Sequence, residues 1–238
     1  RYASRGLGDV YKRQCYHGPS GLTAQAERVH HLASRFHQGI KAQGNMVNQT
    51  FFDTVSVRVS DADAVVSQAL NSGFNIHKAN ETTVSVSFDE ASNDAELETL
   101  ASVFGIELGE GGVTLPKQLQ RQTDFMTQEA FNTHHSETEM MRYLRKLSDR
   151  DLALDRAMIP LGSCTMKLNA ASEMAPITWP EFANIHPFAP ANQRLGYQEM
   201  IQNLNDWLAE ITDYAGISLQ PNSGAQGEYA GLLAIQGY

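Results

Sequence analysis

The first strong pattern along the chain is helical and covers residues 20–43. Apolar side chains recur there at intervals of four and three, which places them on one face of an α-helix. Ser20 is positioned to cap the start of this helix, and Gly44 is positioned to end it. The apolar face consists of Leu22, Ala26, Val29, Ala33, Phe36 and Ile40.

The pattern then changes to strict alternation of apolar and polar residues. Two segments, TVSVRV and TTVSVSF, have the period of half-buried strands. Helical patterns follow each of them, and a further short strand is predicted near residues 75–78. The resulting order, β-α-β-β-α, is typical of a small α+β domain with helices on one side of an antiparallel sheet. The inward positions are Val55, Val57, Val59, Val84, Val86 and Phe88.

Capping residues predict where several helices begin and end. Asn93 and Glu96 have the spacing of a capping box, and Gly105 follows the same helix as a stop. Residues 106–133 are rich in glycine and polar side chains and are predicted to be a connector. A second capping box, Ser136 with Glu139, precedes an amphipathic helix. Its predicted buried stripe is Met140, Tyr143, Leu144 and Leu147.

The second half of the chain is less regular. Prolines recur between residues 160 and 190, so this apolar segment cannot form one long helix. Helical periodicity returns over residues 192–214, with Gly216 as its stop. A short strand is predicted at Ile217–Leu219. The apolar face of the helix is Tyr197, Ile201, Leu204, Leu208 and Ile211.

Composition narrows the class of protein. The chain has 238 residues, of which 42% are hydrophobic, and a formal net charge of −9. That charge disfavours nucleic-acid binding, and no apolar run reaches the roughly 18 residues of a membrane span. Two distant cysteines, Cys15 and Cys164, favour a reducing compartment. Residues 1–14 lack apolar periodicity and are interpreted as non-native sequence outside the fold.

The segment LQPNSGAQGEYAGL points to an anion site. Ser223 and Gln226 have capping-box spacing, so a helix begins near Gly224. Small side chains in its first turn leave backbone N–H groups open at the positive end of the helix dipole. Such an end binds phosphate, although many capped helices with small first turns bind nothing. The segment lacks the Gly-Lys-Ser/Thr ending of a Walker loop.

Several histidines raise the question of a metal. His30 and His37 share one side of the first predicted helix, but no third ligand lies nearby, so surface or packing histidines are the favoured interpretation. His134 and His135 are adjacent and precede Glu139. Adjacent histidines chelate one ion poorly, so no metal site is predicted.

Together the strings THHSETEM, MIPLGSCTMKLNA, PITWPEF, IHPFAP and LQPNSGAQGEYAGL resemble one family, over residues 15–238. It is the glycine cleavage system P-protein, a pyridoxal-phosphate-dependent glycine decarboxylase. The resemblance implies an α/β fold of the aspartate-aminotransferase type (fold type I) beside the small α+β domain. Residues 15–110 would be the last part of the first half of such a protein, and residues 151–238 would be the beginning of its cofactor-binding half. Residues 111–150 would connect the two halves.

The resemblance also implies an activity and its partners. Members of the family release CO2 from glycine and pass the aminomethyl group to the lipoyl arm of the H-protein, using pyridoxal 5'-phosphate. A homodimer and a bacterial cytoplasm are expected, with the mitochondrial matrix as the alternative. A noncatalytic scaffold chain and another fold-type-I enzyme remain competing hypotheses.

The site residues are carried over by motif. The cofactor phosphate would be bound by Ser223, Gly224, Ala225 and Gln226. The resemblance places the lysine that binds the cofactor beyond Tyr238, so Lys167 is not assigned to it, and we expect an interrupted, inactive piece of a longer enzyme. Alternatively, the histidines only shape a turn, and Cys164 is a buried structural thiol. Residues expected to line the substrate space are Thr133, His134, His135, Ser163, Cys164, Thr165 and Asn169.

Overall fold

The structure is a computed structural model that describes residues 4–45, 48–150 and 170–238. The chain divides into two compact units, one formed by Gly6–Asp151 and the other mainly by Leu152–Tyr238. Each unit is described by itself. Within the described residues, no helix has the length and apolar character needed to cross a bilayer.

The first unit begins with a long helix, α1 (Ser4–Ala42), which is broken at Gly18. Gly18 has φ 63° and ψ −178°, and Pro19 continues the helix after it. Proline fits the first position of a helix because no N–H is needed there. The break therefore makes Gly18, rather than the predicted Ser20, the residue that precedes the second helical segment. The predicted end is confirmed, since Gly44 has φ 78°.

Part of the segment before Cys15 contacts the rest of the first unit. The Tyr11 hydroxyl is hydrogen-bonded to the Tyr143 hydroxyl at 2.6 Å, and Cys15 is fully buried. The expectation that all of residues 1–14 lie outside the fold is therefore wrong. The contacts come from single side chains, Tyr11 and Arg13, rather than from a periodic apolar stripe, so the sequence pattern gives no sign of them. The non-native origin of residues 1–14 stays a prediction.

The α+β domain has the predicted element order. Its elements are β1 (Thr54–Arg58), α2 (Ala62–Asn71), β2 (His77–Asn80), β3 (Thr83–Ser87) and α3 (Asp94–Phe104). The sheet is antiparallel with strand order β1-β3-β2. The short strand predicted at residues 75–78 begins two residues later. The mixed helix and sheet content of the predicted fold class is confirmed for this unit.

One core joins α1 to this domain. Val55 pairs with Val86 and Val57 with Val84 across β1 and β3, and all four are buried. Phe36 of α1 is fully buried and its ring contacts those of Phe88 and Phe104. The predicted inward faces of α1 and of the strands therefore meet. The buried core consists of Val29, Leu32, Ala33, Phe36, Ile40, Phe51, Val55, Val57, Ala62, Val84, Val86, Phe88, Leu97, Leu100, Ala101 and Ile106.

The helix ends follow the local sequence. The Asn93 side chain accepts from the Glu96 N–H, the Glu96 carboxylate accepts from the Asn93 N–H, and Gly105 ends α3 in the left-handed region. Both predictions are confirmed. Asp61 caps α2 by accepting from the Ala64 N–H. Reciprocal caps satisfy backbone donors that have no partner inside the helix.

A connector and one more helix complete the first unit. The connector contains two 3₁₀ turns, Lys117–Leu119 and Glu129–Phe131, before α4 (Glu137–Ser148). The predicted buried stripe of α4 is only partly buried. Met140 is buried and Tyr143 half-buried, but Leu144 is 37% exposed.

The second unit consists of helices and turns. The short helices are α5 (Ala171–Met174) and α6 (Pro180–Ala183), with 3₁₀ turns at Ala175–Thr178 and Ala191–Gln193. The long helices are α7 (Leu195–Thr212) and α8 (Gly224–Gly237). Over the described residues 170–190, the prolines lie in short helices and turns rather than in one long helix, which agrees with the sequence analysis.

Two predictions for the second unit are wrong. Helix α7 ends at Asp213, which adopts φ 59°, rather than at Gly216. Residues 217–219 form no strand, because a strand requires a ladder partner and none pairs with them in the described part of the chain. The apolar face of α7 is also largely exposed, with Ile211 at 79%.

Candidate functional site

The predicted site residues fall into three groups. Thr133, His134 and His135 belong to the first unit, and the four phosphate-binding residues belong to the second. The third group lies outside the described residues. It consists of Ser163, Cys164, Thr165 and Asn169, together with Lys167.

The first group forms a turn, residues 132–136, which we call the histidine turn. It joins the 3₁₀ turn Glu129–Phe131 to α4. Ser136 ends it as the N-cap of α4, with the predicted capping box to Glu139 present in both directions. The cap fixes where α4 begins, and with it the positions of the residues just before the helix.

The Thr133 hydroxyl is used inside the turn. It donates to the Glu129 carbonyl oxygen at 3.0 Å, and the side chain is exposed. Its oxygen still has a free lone pair, so Thr133 can accept a hydrogen bond from a ligand but has no second proton to donate.

His134 packs against the first turns of α4. Its ring stacks on the Tyr143 ring, with centroids 4.0 Å apart and planes 18° apart. The same Tyr143 hydroxyl is bonded to Tyr11, and this bond, with burial second, raises the pKa of the Tyr11 phenol well above its usual value. Tyr11 therefore stays neutral at physiological pH, and the pair holds α1 against α4 beside His134.

His135 is bonded to α1. Its Nδ1 lies 2.9 Å from the carbonyl oxygen of Tyr16. A carbonyl oxygen only accepts, so Nδ1 carries a proton, and in the neutral imidazole Nε2 keeps its lone pair. The side chain is exposed. The hydrogen bond therefore places the proton of the neutral imidazole on Nδ1, and in that form Nε2 is an acceptor.

Gly18 lies directly under the histidine turn, and sequence reasoning missed its role. A Cβ atom at Gly18 would lie 2.6 Å from His135 Cε1 and 2.8 Å from the Phe131 carbonyl oxygen. The break in α1 therefore gives the turn the space it occupies. The sequence does contain a signal for it. The pair Gly18-Pro19 comes directly before an apolar helical pattern, and such a pair indicates that a helix is interrupted there.

The second group lies at the N-terminus of α8. Ser223 is the N-cap, and its hydroxyl oxygen accepts from the Gln226 N–H at 3.3 Å. The Gln226 side chain accepts from the Asn222 N–H at 2.9 Å, one residue before the cap. The predicted helix start is confirmed. The return bond of the predicted capping box goes to Asn222 instead of Ser223.

Two donors remain open in this first turn. Within the described residues, the N–H groups of Gly224 and Ala225 have no hydrogen-bond acceptor. A Cβ atom built on Gly224 would meet no atom within 4 Å, so no neighbouring atom crowds the side-chain position of this residue. With the Ser223 hydroxyl proton and the Gln226 amide, they form a donor set suited to an anion.

His30 and His37 do not form a metal pair. His30 Nδ1 donates to the Phe52 carbonyl oxygen at 2.7 Å, and His30 Nε2 accepts from the Thr114 N–H at 3.1 Å. His37 is buried, with its ring 4.5 Å from that of Phe51. No group of three metal-binding side chains occurs among the described residues. Both histidines are buried, so of surface and packing roles, the two favoured from the sequence, they have the packing role.

Comparison with known proteins gives a family match for part of the chain and similar proteins over most of it. Residues 10–104 match the family of the glycine cleavage system P-protein. Over 229 residues, which are 94% of this chain, the sequence is 51% identical to glycine dehydrogenase (decarboxylating) of Stenotrophomonas maltophilia (strain R551-3). It is 54% identical over 225 residues to the protein of that name from Brucella melitensis biotype 1, and 50% identical over 229 residues to that of Xanthomonas euvesicatoria pv. vesicatoria.

The resemblance stated from the motifs is thereby confirmed. The chain carries a glycine cleavage system P-protein domain and is a relative of the glycine dehydrogenases (decarboxylating). It spans 24% of the length of each of these relatives, or about a quarter.

Proposed function

We propose that this chain is part of a pyridoxal-phosphate-dependent glycine decarboxylase, with the aspartate-aminotransferase type of fold (fold type I). The observation that carries the proposal is identity of about half over 94% of the chain to glycine dehydrogenases (decarboxylating). Residues 15–110 end the first half of the enzyme, residues 111–150 connect, and residues 151–238 begin the half that binds the cofactor.

The phosphate of pyridoxal 5'-phosphate binds at the start of α8. The open N–H groups of Gly224 and Ala225, the Ser223 hydroxyl and the Gln226 amide supply its donors. The positive end of the helix dipole adds to the attraction. The donor set and the uncrowded side-chain position of Gly224 support this assignment.

The substrate is glycine, and the histidine turn lines its space. When bound, the cofactor supplies an electron sink for loss of CO2. Thr133, His134 and His135 orient glycine and keep water away from it. The fixed tautomer of His135 and the stacked ring of His134 support a positioning role, because neither side chain rotates freely.

The aminomethyl group passes to the lipoyl arm of the H-protein, and the enzyme is a homodimer. The bacterial sources of the relatives favour the bacterial cytoplasm over the mitochondrial matrix.

A segment exchange tests the function. Residues 15–238 replace the aligned segment of the Stenotrophomonas maltophilia relative, and exchange of labelled CO2 into glycine is measured with lipoylated H-protein. We expect the hybrid to catalyse exchange within about tenfold of the parent, since about half of the exchanged positions are already identical. A folded hybrid that binds H-protein but catalyses no exchange would favour the scaffold hypothesis instead.

A further inference from the structure

The break in α1 and the histidine turn meet through one backbone carbonyl. In an unbroken helix the Tyr16 carbonyl would point at the N–H four residues on, at Ser20. The backbone of Gly18 turns the chain between these two groups. The Tyr16 oxygen instead lies 2.9 Å from Nδ1 of His135, a residue far away in the sequence.

Only glycine satisfies this arrangement. The φ of 63° with ψ of −178° belongs to a region of backbone conformation that is essentially restricted to glycine. A side chain would also collide with His135 Cε1 at 2.6 Å and with the Phe131 carbonyl at 2.8 Å. Conformation and space therefore both require glycine here, and the space is needed by the imidazole itself.

We infer that Gly18 and the Tyr16 carbonyl are positioning groups for His135, which they hold as the Nδ1–H tautomer so that Nε2 is presented as a hydrogen-bond acceptor. This inference rests on the proposed function for the statement that the turn faces substrate. Hydrogen bonds of this kind set the tautomer of histidines in metal and catalytic sites by the same logic.

The tautomer determines which end of glycine His135 recognises. A neutral Nε2 lone pair accepts from N–H or O–H groups, whereas a carboxylate has no proton to offer it. The neutral Nδ1–H form of His135 therefore binds the amino end of the substrate, and the carboxylate that leaves as CO2 is held by other groups. A protonated His135 would instead donate from Nε2 and bind the carboxylate.

The tautomer can be measured directly, without activity. The full chain, labelled with ¹⁵N in its histidines, is examined by long-range proton–nitrogen correlation NMR at neutral pH. We expect His135 to show a protonated Nδ1 and an unprotonated Nε2. Detection of the Nε2–H tautomer, or of rapid averaging between the two, would overturn the inference.

Two glycine variants separate the contact from backbone strain. Gly18→Ala should shift His135 away from the Nδ1–H form. Gly73→Ala is the matched control, because Gly73 also has positive φ, 89°, but a Cβ there meets nothing within 4 Å. An unchanged His135 spectrum in a folded Gly18→Ala chain would contradict the inference. If this variant does not fold, the tautomer measured in the wild-type chain still tests the inference.

Two histidine variants extend the test to substrate. In the active hybrid, His135→Asn keeps an amide donor near the position of Nδ1, whereas His135→Gln places its amide near the position of Nε2. We expect His135→Asn to raise KM for glycine by about tenfold, the loss of one hydrogen bond, and His135→Gln to retain more affinity. Equal KM values for the two variants would contradict the assignment of Nε2. An inactive wild-type hybrid with the Nδ1–H tautomer would count against the proposed function alone.

Discussion

The hydroxyl oxygen of Ser34 accepts a hydrogen bond from the backbone N–H of Gly112, 2.9 Å away. It is the middle of three such bonds. Four residues earlier on α1, His30 Nε2 accepts from the Thr114 N–H, and four residues later Gln38 Oε1 accepts from the Gly111 N–H. Residues four apart form one stripe along a helix. The start of the connector is therefore attached to α1 in a fixed register.

Replacement of Ser34 by alanine tests this attachment. Ser34 is fully buried, and Ser34→Ala leaves the Gly112 N–H without its acceptor. Loss of this hydrogen bond costs about 0.5–1.5 kcal/mol of unfolding free energy, measured by urea denaturation. Ser102→Ala is the matched control, because its exposed hydroxyl donates only to the Glu98 carbonyl within α3. Equal stability of the two variants would mean that the attachment contributes nothing.

Acid should destabilise the first unit through His37. The ring is buried, and neither nitrogen has a hydrogen-bond partner among the described residues. Burial lowers the pKa of His37 and the charge of Lys41 lowers it further, while the backbone of Asn48, close to the ring but outside hydrogen-bond geometry, opposes both. The unfolded chain then takes up a proton at a pH where folded His37 stays neutral.

The sign of the effect follows from that difference. Stability is complete above the ordinary histidine pKa of about 6.5 and falls as pH drops below it, because the unfolded state binds more protons. His37→Leu should reduce the loss of unfolding free energy between about pH 7 and pH 5, measured by denaturation at each pH. His77→Gln, at an exposed histidine, should leave that slope unchanged. An identical slope in His37→Leu would assign the acid sensitivity to other groups.

Asn48 covers the outer edge of the sheet. Its amide N–H donates to the Thr54 carbonyl and its Oδ1 accepts from the Ser56 N–H, both at 2.9 Å. One side chain thus takes the place of a neighbouring strand along β1. Free strand edges are sites of edge-to-edge aggregation.

Asn48→Ala should therefore have two effects. The unfolding free energy should fall by about 1–3 kcal/mol, since two backbone groups lose their partner. Aggregation, followed by light scattering, should also increase. Asn71→Ala, at the exposed end of α2, should change neither property. Loss of stability without added aggregation would mean that the edge is protected by other residues.

The sequence predicts best what is local. Both capping boxes, at Asn93 and Ser136, involve residues three apart, and both are present as expected. The bond between His135 and Tyr16 joins positions that no periodicity connects. The strand predicted at Ile217–Leu219 depended on partners elsewhere, and propensity alone cannot supply a ladder. Helix α7 ends at Asp213 because aspartate, like glycine, tolerates the left-handed region.

Ser223 offers the sharpest test of the anion site, because its two roles can be separated. As N-cap it needs only an oxygen acceptor, which aspartate also supplies. As a phosphate ligand it needs a proton and no negative charge. In the active hybrid, Ser223→Asp should keep the helix content seen by circular dichroism.

The same variant should lose affinity for pyridoxal 5'-phosphate by at least about tenfold, measured by absorbance titration, because a carboxylate beside the open Gly224 and Ala225 N–H groups repels the phosphate. Ser223→Thr, which keeps both the cap and the hydroxyl proton, is the control and should bind nearly as the parent does. If Ser223→Asp bound the cofactor as tightly as Ser223→Thr, the phosphate would have to lie elsewhere than at the start of α8.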